Sequence, residues 1–426
     1  MKKIMHDTDN NPWKAKAIAL DRFRWTLLRD RHGLLGSALR FVRNAIIDTC
    51  FGLQAKFRLN ISIFTESCDF LLLQATPKVI GLHRKKLLID ALRQRGYHLI
   101  ETALQKPRDI CANRLLALPP YPVPLRYFGH AAYATWIVER YQPYVLLNDR
   151  NGSLYSPFLR LALMNRQCPL VHLAHATTVE NSQRLSMNDY DYYLLFGPSS
   201  LEALQARKLR FGASTVILTG SHMIDQSFDL PPASPMMRTL LILGVGPDKE
   251  KEAGYRRTYD LLRQWAREQS QYQVFIKRHP RSSVPFWQET EQTLKNVKVL
   301  PSECSLAQAL EQTSVVVNIM SNAVIEAGLA ARPIIYCNLS DDYDIFHQER
   351  FLGQLVTNPK DLQSRISEIE GDFATHVENA KAFALFHLAH GSQGLEKTLQ
   401  VFERLLKHSA LPEDIEQHSL PETHYS

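Results

Sequence analysis

The densest group of chemically useful side chains lies in residues 275–281, which read FIKRHPR. An apolar run, which predicts a β-strand, ends there abruptly in Lys277, Arg278, His279 and Arg281. Arg can bind two oxygens of one phosphate, and a protonated His can stabilise a leaving phosphate. The segment therefore predicts a phosphate or diphosphate site at the end of a strand. A basic turn in solvent is the alternative.

A second candidate segment, residues 315–328, reads VVVNIMSNAVIEAG. It predicts a buried strand followed by a helix that opens near Ser321 and Asn322. Backbone N–H groups and a Ser hydroxyl at a helix N-terminus bind phosphate or carboxylate groups. Glu326 falls about one turn inside the helix, where a carboxylate can hold the two hydroxyls of a ribose. The alternative is that Ser321 and Glu326 only cap the helix and match its dipole.

These two segments, with the glycine-containing loop 244–247 after an earlier apolar run, resemble the nucleotide-binding half of a GT-B glycosyltransferase. The likeness is greatest to bacterial capsule and lipopolysaccharide transferases that use CMP-activated sugars such as Kdo or sialic acid. In such families a His-Pro pair contacts the donor phosphate and a Ser-containing loop assists. The resemblance implies a donor-binding set of Gly244, Lys277, Arg278, His279, Arg281, Ser321, Asn322 and Glu326, with His279 also catalytic.

Two aspartates are candidates for the catalytic carboxylate. Asp149, in the segment LNDRNGS at 147–153, can act as the general base of an inverting transfer. The family's usual acidic pair followed by Gly is absent, and this segment is the nearest substitute. Asp225 ends the segment LTGSHMID at 218–225, which looks like the crossing loop of these families. Asp225 can act as the nucleophile of a retaining transfer. The alternatives are a turn at Asp149 and a helix cap at Asp225.

The segment 172–181, HLAHATTVEN, follows another predicted strand. GT-B polysaccharide enzymes and polyol-phosphate transferases often carry a His followed by small residues in a similar loop. The resemblance implies that His175 and Thr177 contact the donor phosphate or the acceptor. His172 lies within the apolar run and is predicted to belong to the core.

The elements that would position these residues form two series. Short apolar runs alternate with helical stretches from residue 70, which predicts a parallel sheet covered on both faces. Three prolines within 229–235 interrupt the series, and a second series spans 239–337. The sequence predicts an α/β GT-B fold, in which two Rossmann-like doubly wound domains face a ligand-binding cleft. The predicted parts are a basic helical extension 1–60, an N-terminal acceptor domain 61–228, a linker 229–237, a C-terminal donor domain 238–410 and a flexible tail 411–426.

Charge is concentrated at the start of the chain. Residues 1–60 hold twelve Lys and Arg and five Asp, which equals the formal net charge of +7 of all 426 residues. Residues 17–47 predict one or two basic amphipathic helices, which could lie on anionic lipid or pack on the next domain. Because the remainder of the chain is balanced in charge, nucleic-acid binding is not predicted.

Metal and disulfide chemistry are not predicted. The six cysteines are scattered singly. Asp189 and Asp191 form an Asp-x-Asp pattern, but they precede an apolar run instead of following a strand. No stretch is apolar enough for a membrane span. The sequence therefore predicts a cytoplasmic protein that can bind peripherally to the inner membrane.

Together the resemblance implies a glycosyltransferase that needs no metal or cofactor. It would move Kdo or sialic acid from a CMP donor onto a lipid-linked or polysaccharide acceptor in bacterial surface polysaccharide biosynthesis. Two alternatives stay open at this point. One is a transferase that uses CDP-glycerol or CDP-ribitol, and the other is a non-catalytic membrane scaffold that binds nucleotide sugars.

Overall fold

The computed structural model describes residues 11–177, 186–207, 210–282 and 284–422. The chain divides into two compact units. The first comprises Met1–Phe196, Ser200–Met223 and Leu395–Ser426, and the second comprises Gly197–Ser199 and Ile224–Gly394. The chain therefore leaves the first unit just before the proline-rich segment 229–235 and returns to it near the C-terminus.

The first unit is built on a seven-stranded sheet. Its strands are β1 Cys68–Gln74, β2 Leu99–Ala103, β3 Pro143–Asn148, β4 Leu170–Leu173, β5 Tyr192–Leu195, β6 Ser214–Leu218 and β12 Gln417–Leu420. Their order is β12-β6-β5-β4-β3-β1-β2, and all pairs are parallel except β12 with β6. The central strands are almost wholly buried, as expected for parallel strands covered on both faces.

Helices surround this sheet. They are α1 Pro12–Arg31, α2 Leu34–Lys56, α3 Pro77–Ile80, α4 Lys86–Gln94, α5 Pro107–Ala112, α6 Leu125–Tyr141, α7 Ser156–Met164, most of α8 Pro198–Gln205, and α16 Gly394–Leu406. Within the described ranges, no helix is long and apolar enough to cross a bilayer.

The C-terminal segment differs from the prediction. Helix α16 was assigned to the donor domain, but it packs on the first sheet, where the ring of Phe402 lies 5.6 Å from that of Phe70. Arg95 also binds Glu396 and Glu403 of this helix. The segment 411–426 was predicted as a flexible tail, yet β12 within it pairs with β6. An amphipathic pattern predicts a helix but does not say which of two sheets the helix covers.

The two N-terminal helices pack on the first unit. Helix α1 buries Trp13, Ala17, Leu20 and Phe23, and the Trp13 ring stacks on Phe158 at 5.9 Å. Helix α2 lies along α6 and is joined to α1 by an ion pair of 2.6 Å between Arg24 and the buried Asp48. The sequence left lipid binding and packing open for this segment, and packing is observed for one face of each helix.

Helices α2 and α6 approach each other backbone to backbone. A Cβ atom added at Gly52 would lie 1.8 Å from the carbonyl oxygen of Leu125. One added at Gly129 would lie 2.6 Å from the ring of Phe51. Neither position can hold a side chain unless the helices separate.

This close approach gives a test of the packing. Gly52→Ala should lower the free energy of unfolding by about 2 kcal/mol or more, because α2 must move away from α6. Gly36→Ala on the same helix is the matched control, since the nearest atom to an added Cβ there is 3.4 Å away. That change should be neutral or stabilise the helix by up to about 1 kcal/mol. Urea unfolding measures both, and equal stabilities would contradict the contact.

The second unit contains a five-stranded parallel sheet with the strands β7 Thr239–Leu243, β8 Gln273–Lys277, β9 Val297–Val299, β10 Val315–Asn318 and β11 Ile334–Tyr336. Their order is β11-β10-β7-β8-β9. The helices of the unit are α9 Ala253–Glu268, α10 Phe286–Thr293, α11 Leu306–Glu311, α12 Val324–Leu329, α13 Glu349–Leu352, α14 Pro359–Gly371 and α15 Phe373–His387. Its core includes the buried Tyr259, Trp265 and Trp287.

Both sheets reverse their strand order beside their first strand. In the first unit β2 lies on one side of β1 and β3 on the other, and in the second unit β8 and β10 flank β7. At such a point the loops that leave neighbouring strands run to opposite sides and open a crevice at the carboxyl edge. Each unit therefore has one place where its topology favours a ligand.

Candidate functional site

In the second unit, three of the predicted donor segments meet at this carboxyl edge. Asn318 at the end of β10 and Lys277 at the end of β8 both pair with Leu243 at the end of β7. The next residue, Gly244, donates its N–H to the carbonyl of Lys277 at 2.9 Å. A Cβ atom at Gly244 would lie 3.1 Å from the Cα of Arg278. The loops after β7 and β8 are thus in direct contact, and glycine permits the approach.

The side chains after β8 have defined partners. The Nδ1 atom of His279 accepts a hydrogen bond of 3.1 Å from the N–H of Arg281, so the neutral ring carries its proton on Nε2 and can donate it to an anion. The guanidinium of Arg278 lies against the side-chain amide of Gln288. The buried Nε of Arg278 has no hydrogen-bond partner among the described residues. Arg281 is exposed.

Lys277 is placed differently from its neighbours. Its ammonium group donates to the carbonyl of Cys304, in the loop between β9 and α11. The side chain therefore ties two loops together, and the predicted contact with a donor phosphate is not supported by its geometry.

Sequence reasoning missed Glu250, which is buried and accepts a 2.6 Å hydrogen bond from Ser282. It connects the loop after β7 to the loop after β8.

The loop after β10 is held by the end of its own strand. The side-chain oxygen of Asn318 accepts from the N–H of Ser321 at 3.0 Å, and its amide nitrogen donates to Gln348 at 2.7 Å. Helix α12 begins only at Val324 and has no side-chain cap. Ser321 is therefore half-buried in the loop and is not a helix cap, whereas Asn322 is exposed.

Glu326 is an unusual carboxyl group. One of its oxygens is buried and finds no hydrogen-bond partner in the part of the chain that the structure describes. Burial raises the pKa of Glu326 to about 7, against a smaller opposing effect of its own backbone. The ionised form can accept a hydrogen bond from a ribose hydroxyl at each of its two oxygens, whereas the protonated form uses one oxygen as a donor.

The raised pKa gives a prediction for stability. The folded protein holds the Glu326 proton more tightly than the unfolded chain, so the free energy of unfolding should fall as pH rises from about 4.5 to about 7. Glu326→Gln should remove this fall, which is on the order of 2 kcal/mol. Urea unfolding across that pH range measures it. The matched control is Glu268→Gln on α9, which is exposed; if both variants keep the wild-type slope, the carboxyl is not buried.

In the first unit, a buried ion pair lies at the corresponding edge. Asp149 directly follows β3, and its Oδ2 atom lies 2.6 Å from Nζ of Lys85, with both side chains almost wholly buried. The other carboxylate oxygen of Asp149 is buried and unpartnered within the described residues. Sequence reasoning missed Lys85, because a lysine in the basic run 83–86 before a helix carries no signal of burial.

Two histidines complete this group. His175 follows β4, and its side chain is exposed on one side. Partial loss of hydration lowers the pKa of His175, and so do the charges of Lys85 and Arg84, whereas Asp149 raises it. His222 follows β6 and is buried. Burial, Lys85 and His175 lower its pKa to about 3, so its ring is neutral at physiological pH. We call Lys85, Asp149, His175 and His222 the acceptor cluster, after the role that the sequence predicts for this unit.

His172 supports the loop that carries Asp149. Its ring is fully buried, and its two nitrogens lie 3.1 Å from Nδ2 of Asn148 and 2.6 Å from Oδ1 of Asn151. The ring also stacks on Tyr190 with centroids 4.3 Å apart. The prediction that His172 belongs to the core is confirmed, and its hydrogen bonds hold both sides of the Asp149 turn.

The remaining candidates lie apart from these contacts or cannot be followed. Thr177 is buried and its carbonyl accepts a hydrogen bond from Ser200 at 3.2 Å; residues 178–181 of its segment lie outside the described residues. Asp225 is exposed and caps the turn Gln226–Phe228 by accepting from Ser227 at 3.0 Å. That bond lowers the pKa of Asp225. Of the two roles that the sequence left open for Asp225, the structure shows the cap.

The Asp-x-Asp pattern has a structural role in the first unit. Arg160 binds Asp189 at 2.8 Å and Asp191 at 3.0 Å, and Lys16 also reaches Asp189. Across the described ranges, no group of three or more His, Cys, Asp or Glu side chains is arranged to hold a metal ion.

The buried ion pair can be tested by a double-mutant cycle. Lys85→Met and Asp149→Asn should each cost about 3 kcal/mol, because each leaves a buried polar or charged group unpaired. The double variant should lose clearly less than the sum, as measured by urea unfolding. The neighbouring exposed pair Lys86 and Asp90 is the control, and its coupling should stay below about 0.5 kcal/mol. Additive losses at Lys85 and Asp149 would rule out the buried pair.

Comparison with known proteins gives the fold. No protein-family model matches the sequence, and no curated protein is significantly similar to it. A putative UDP-N-acetylglucosamine 2-epimerase from Listeria monocytogenes shares 12% identity over 82% of this chain and 99% of its own, with a TM-score of 0.52. The chain has the GT-B fold. Two further structures match. The glycotransferase of kitacinnamycin shares 16% identity over 80% of this chain and 99% of its own, with a TM-score of 0.48. MurG of Acinetobacter baumannii shares 12% identity over 80% of this chain and 99% of its own, with a TM-score of 0.47.

Proposed function

We propose that the chain is a glycosyltransferase that uses a nucleotide-sugar donor. The observation that carries this proposal is the meeting of the loops after β7, β8 and β10 at the point where the strand order of the second unit reverses. Those loops bring a close-approach glycine, the imidazole of His279 and a half-buried Ser321 to one edge. The Listeria structure of the same fold is named for an enzyme of a nucleotide sugar, which supports this donor class.

The donor would bind through its phosphate and its ribose. Arg278, His279 and Arg281 would contact the phosphate, while the absence of a side chain at Gly244 allows the phosphate to approach the backbone. Ser321 and Asn322 would add hydrogen bonds from the neighbouring loop. Glu326 would accept hydrogen bonds from the ribose hydroxyls once its proton is lost. Lys277 would act indirectly, by holding the loop that carries the other cations.

The transfer needs a base and a stabilised leaving group. A base removes the proton of an acceptor hydroxyl, the hydroxyl oxygen bonds to the sugar carbon, and the bond from that carbon to the nucleotide oxygen breaks. Arg278 and the donating His279 would offset the negative charge that develops on the leaving nucleotide, without a metal ion. The base would come from the acceptor cluster, where Asp149 and the neighbouring His175 can share the proton.

The finer assignment is a CMP-linked acidic sugar, Kdo or sialic acid, and a lipid-linked or polysaccharide acceptor of the bacterial surface. Its support is the His279-Pro280 pair at the end of β8 and the resemblance that this pair carries. The basic N-terminal segment supports an acceptor at the inner membrane, because such a segment is attracted to anionic lipid. The reaction would then take place on the cytoplasmic side.

Calorimetric titration with CMP, CDP, UDP and GDP at one salt concentration tests the donor. We expect selective binding of CMP, and a preference for CDP, UDP or GDP would overturn the assignment of the base and phosphate. Binding of none of the four would overturn the proposed function.

His279→Ala should weaken nucleotide binding by about tenfold and lower turnover by about a hundredfold or more, because it removes one charge-stabilising donor. Its thermal midpoint should stay close to that of the wild type, since the ring accepts a single bond from a nearby backbone group. The control is His98→Ala, an exposed residue of the first unit. Loss of folding in His279→Ala, or wild-type turnover, would contradict the role of His279.

A further inference from the structure

Helix α2 presents an apolar surface to solvent. Its outward side chains are large and apolar, and they are between 47% and 81% exposed. They recur every three, four or seven positions, which places them in one line along the helix. We call this line the α2 stripe; it consists of Leu35, Leu39, Val42, Ile46 and Leu53.

Helix α2 has apolar side chains on both of its faces, unlike an ordinary surface helix: it buries Phe51 and Ala55 and also exposes a line of large apolar residues. Its inner face contacts α6 and carries Asp48, whose carboxylate is buried and bound to Arg24. Its outer face, along a helix of 23 residues, carries the α2 stripe. In α1 the large apolar side chains Trp13, Leu20 and Phe23 are buried in the ordinary way. A contiguous apolar line on a protein surface marks a place that a partner covers.

The charges beside the stripe identify the kind of partner. Arg40, Arg43 and Lys56 are exposed on α2. Asp48 is the one acidic residue in this fully described helix, and it faces inward. The outer surface of α2 is therefore apolar and cationic, without negative charge. Anionic phospholipids complement both properties, because their acyl chains take up apolar side chains and their phosphates attract Arg and Lys.

The apolar surface continues beyond the helix. Phe57, Ile61 and Phe64 follow α2 and are each at least three-quarters exposed. An open groove of about 670 Å³ lies beside the stripe, between α2 and α5, and Ile46 and Ile47 line its near side. Arg58 and Arg108 also line it, as does Asp48, whose charge is paired with Arg24. The same pairing of apolar and cationic side chains thus extends over a surface wider than one helix.

We propose that α2 lies flat on an anionic bilayer, with the α2 stripe inserted at the boundary between headgroups and acyl chains. Arg43 and Lys56, which flank the stripe on its two sides, then contact lipid phosphates, and the inner face of α2 remains packed on α6. This inference assigns a docking surface and is independent of the donor site in the second unit.

Flotation of the full chain with lipid vesicles tests the apolar contact. The wild type should bind vesicles that contain phosphatidylglycerol. Leu39→Ser with Ile46→Ser should weaken this binding by about tenfold per residue, because each substitution removes a large apolar side chain from lipid. Both residues are exposed in the free protein, so stability should be unchanged. The matched control is Leu118→Ser with Leu385→Ser, two exposed leucines outside α2, which should bind as the wild type.

Charge variants test the lipid class. Arg43→Gln with Lys56→Gln should weaken binding to phosphatidylglycerol vesicles by about fivefold per residue. Binding to vesicles of phosphatidylcholine alone should change little. Lys295→Gln with Lys298→Gln, two exposed lysines of the second unit, should bind as the wild type. Equal losses on both kinds of vesicle would contradict an electrostatic contact with anionic lipid.

Three further results would overturn the proposal. One is a wild type that does not float with phosphatidylglycerol vesicles, and another is a Leu39 and Ile46 double variant that floats as well as the wild type. The third is a wild-type dimer in analytical ultracentrifugation that the same double variant converts to monomer, because a second copy would then cover the stripe. Nucleotide titration of each variant separates this outcome from failure at the donor site, since α2 variants should bind nucleotide normally.

Discussion

The parallel pairing of β7 with β8 on one side and β10 on the other determines where the proposed donor-binding residues can lie. Parallel strands end at a common edge, so the residues after these three strands become neighbours although they are separated by 34 to 75 positions in the sequence. Gly244 then allows the loops after β7 and β8 to touch. Strand order determines which loops meet at this edge, and the side chains of those loops determine which groups the edge presents to a ligand.

The first unit repeats this principle with a different set of side chains. Its carboxyl edge holds a buried ion pair, which is an inefficient way to stabilise a fold because both ions lose their hydration. Next to that pair lie two imidazoles whose pKa values are lowered. A carboxylate, an ammonium group and neutral imidazoles in one place can accept and pass on a proton. This is the physical ground for the proposal that the first unit supplies the base.

The two N-terminal helices show how similar compositions acquire different roles. Both helices mix Arg with large apolar residues, yet α1 turns its apolar side chains inward and α2 turns a line of them outward. The difference comes from α6, which contacts the face of α2 that carries Phe51 and Gly52. The buried Asp48 of α2 binds Arg24 of α1. Once that face is used for packing, the apolar face is left for an external partner.

The sequence alone determined the element types, the two-unit α/β plan and the loops for which chemistry is proposed, because apolar periodicity and strand-end motifs are local properties. His279, Gly244 and Ser321 lie where strand order brings them together, and His172 is buried as its place in an apolar run predicted. Only the tertiary structure decided that Lys277 ties two loops, that Lys85 pairs with Asp149, that Asp225 caps a turn, and that α16 and β12 join the first sheet. Each of these depends on a partner distant in sequence, and residue type and spacing do not specify such partners.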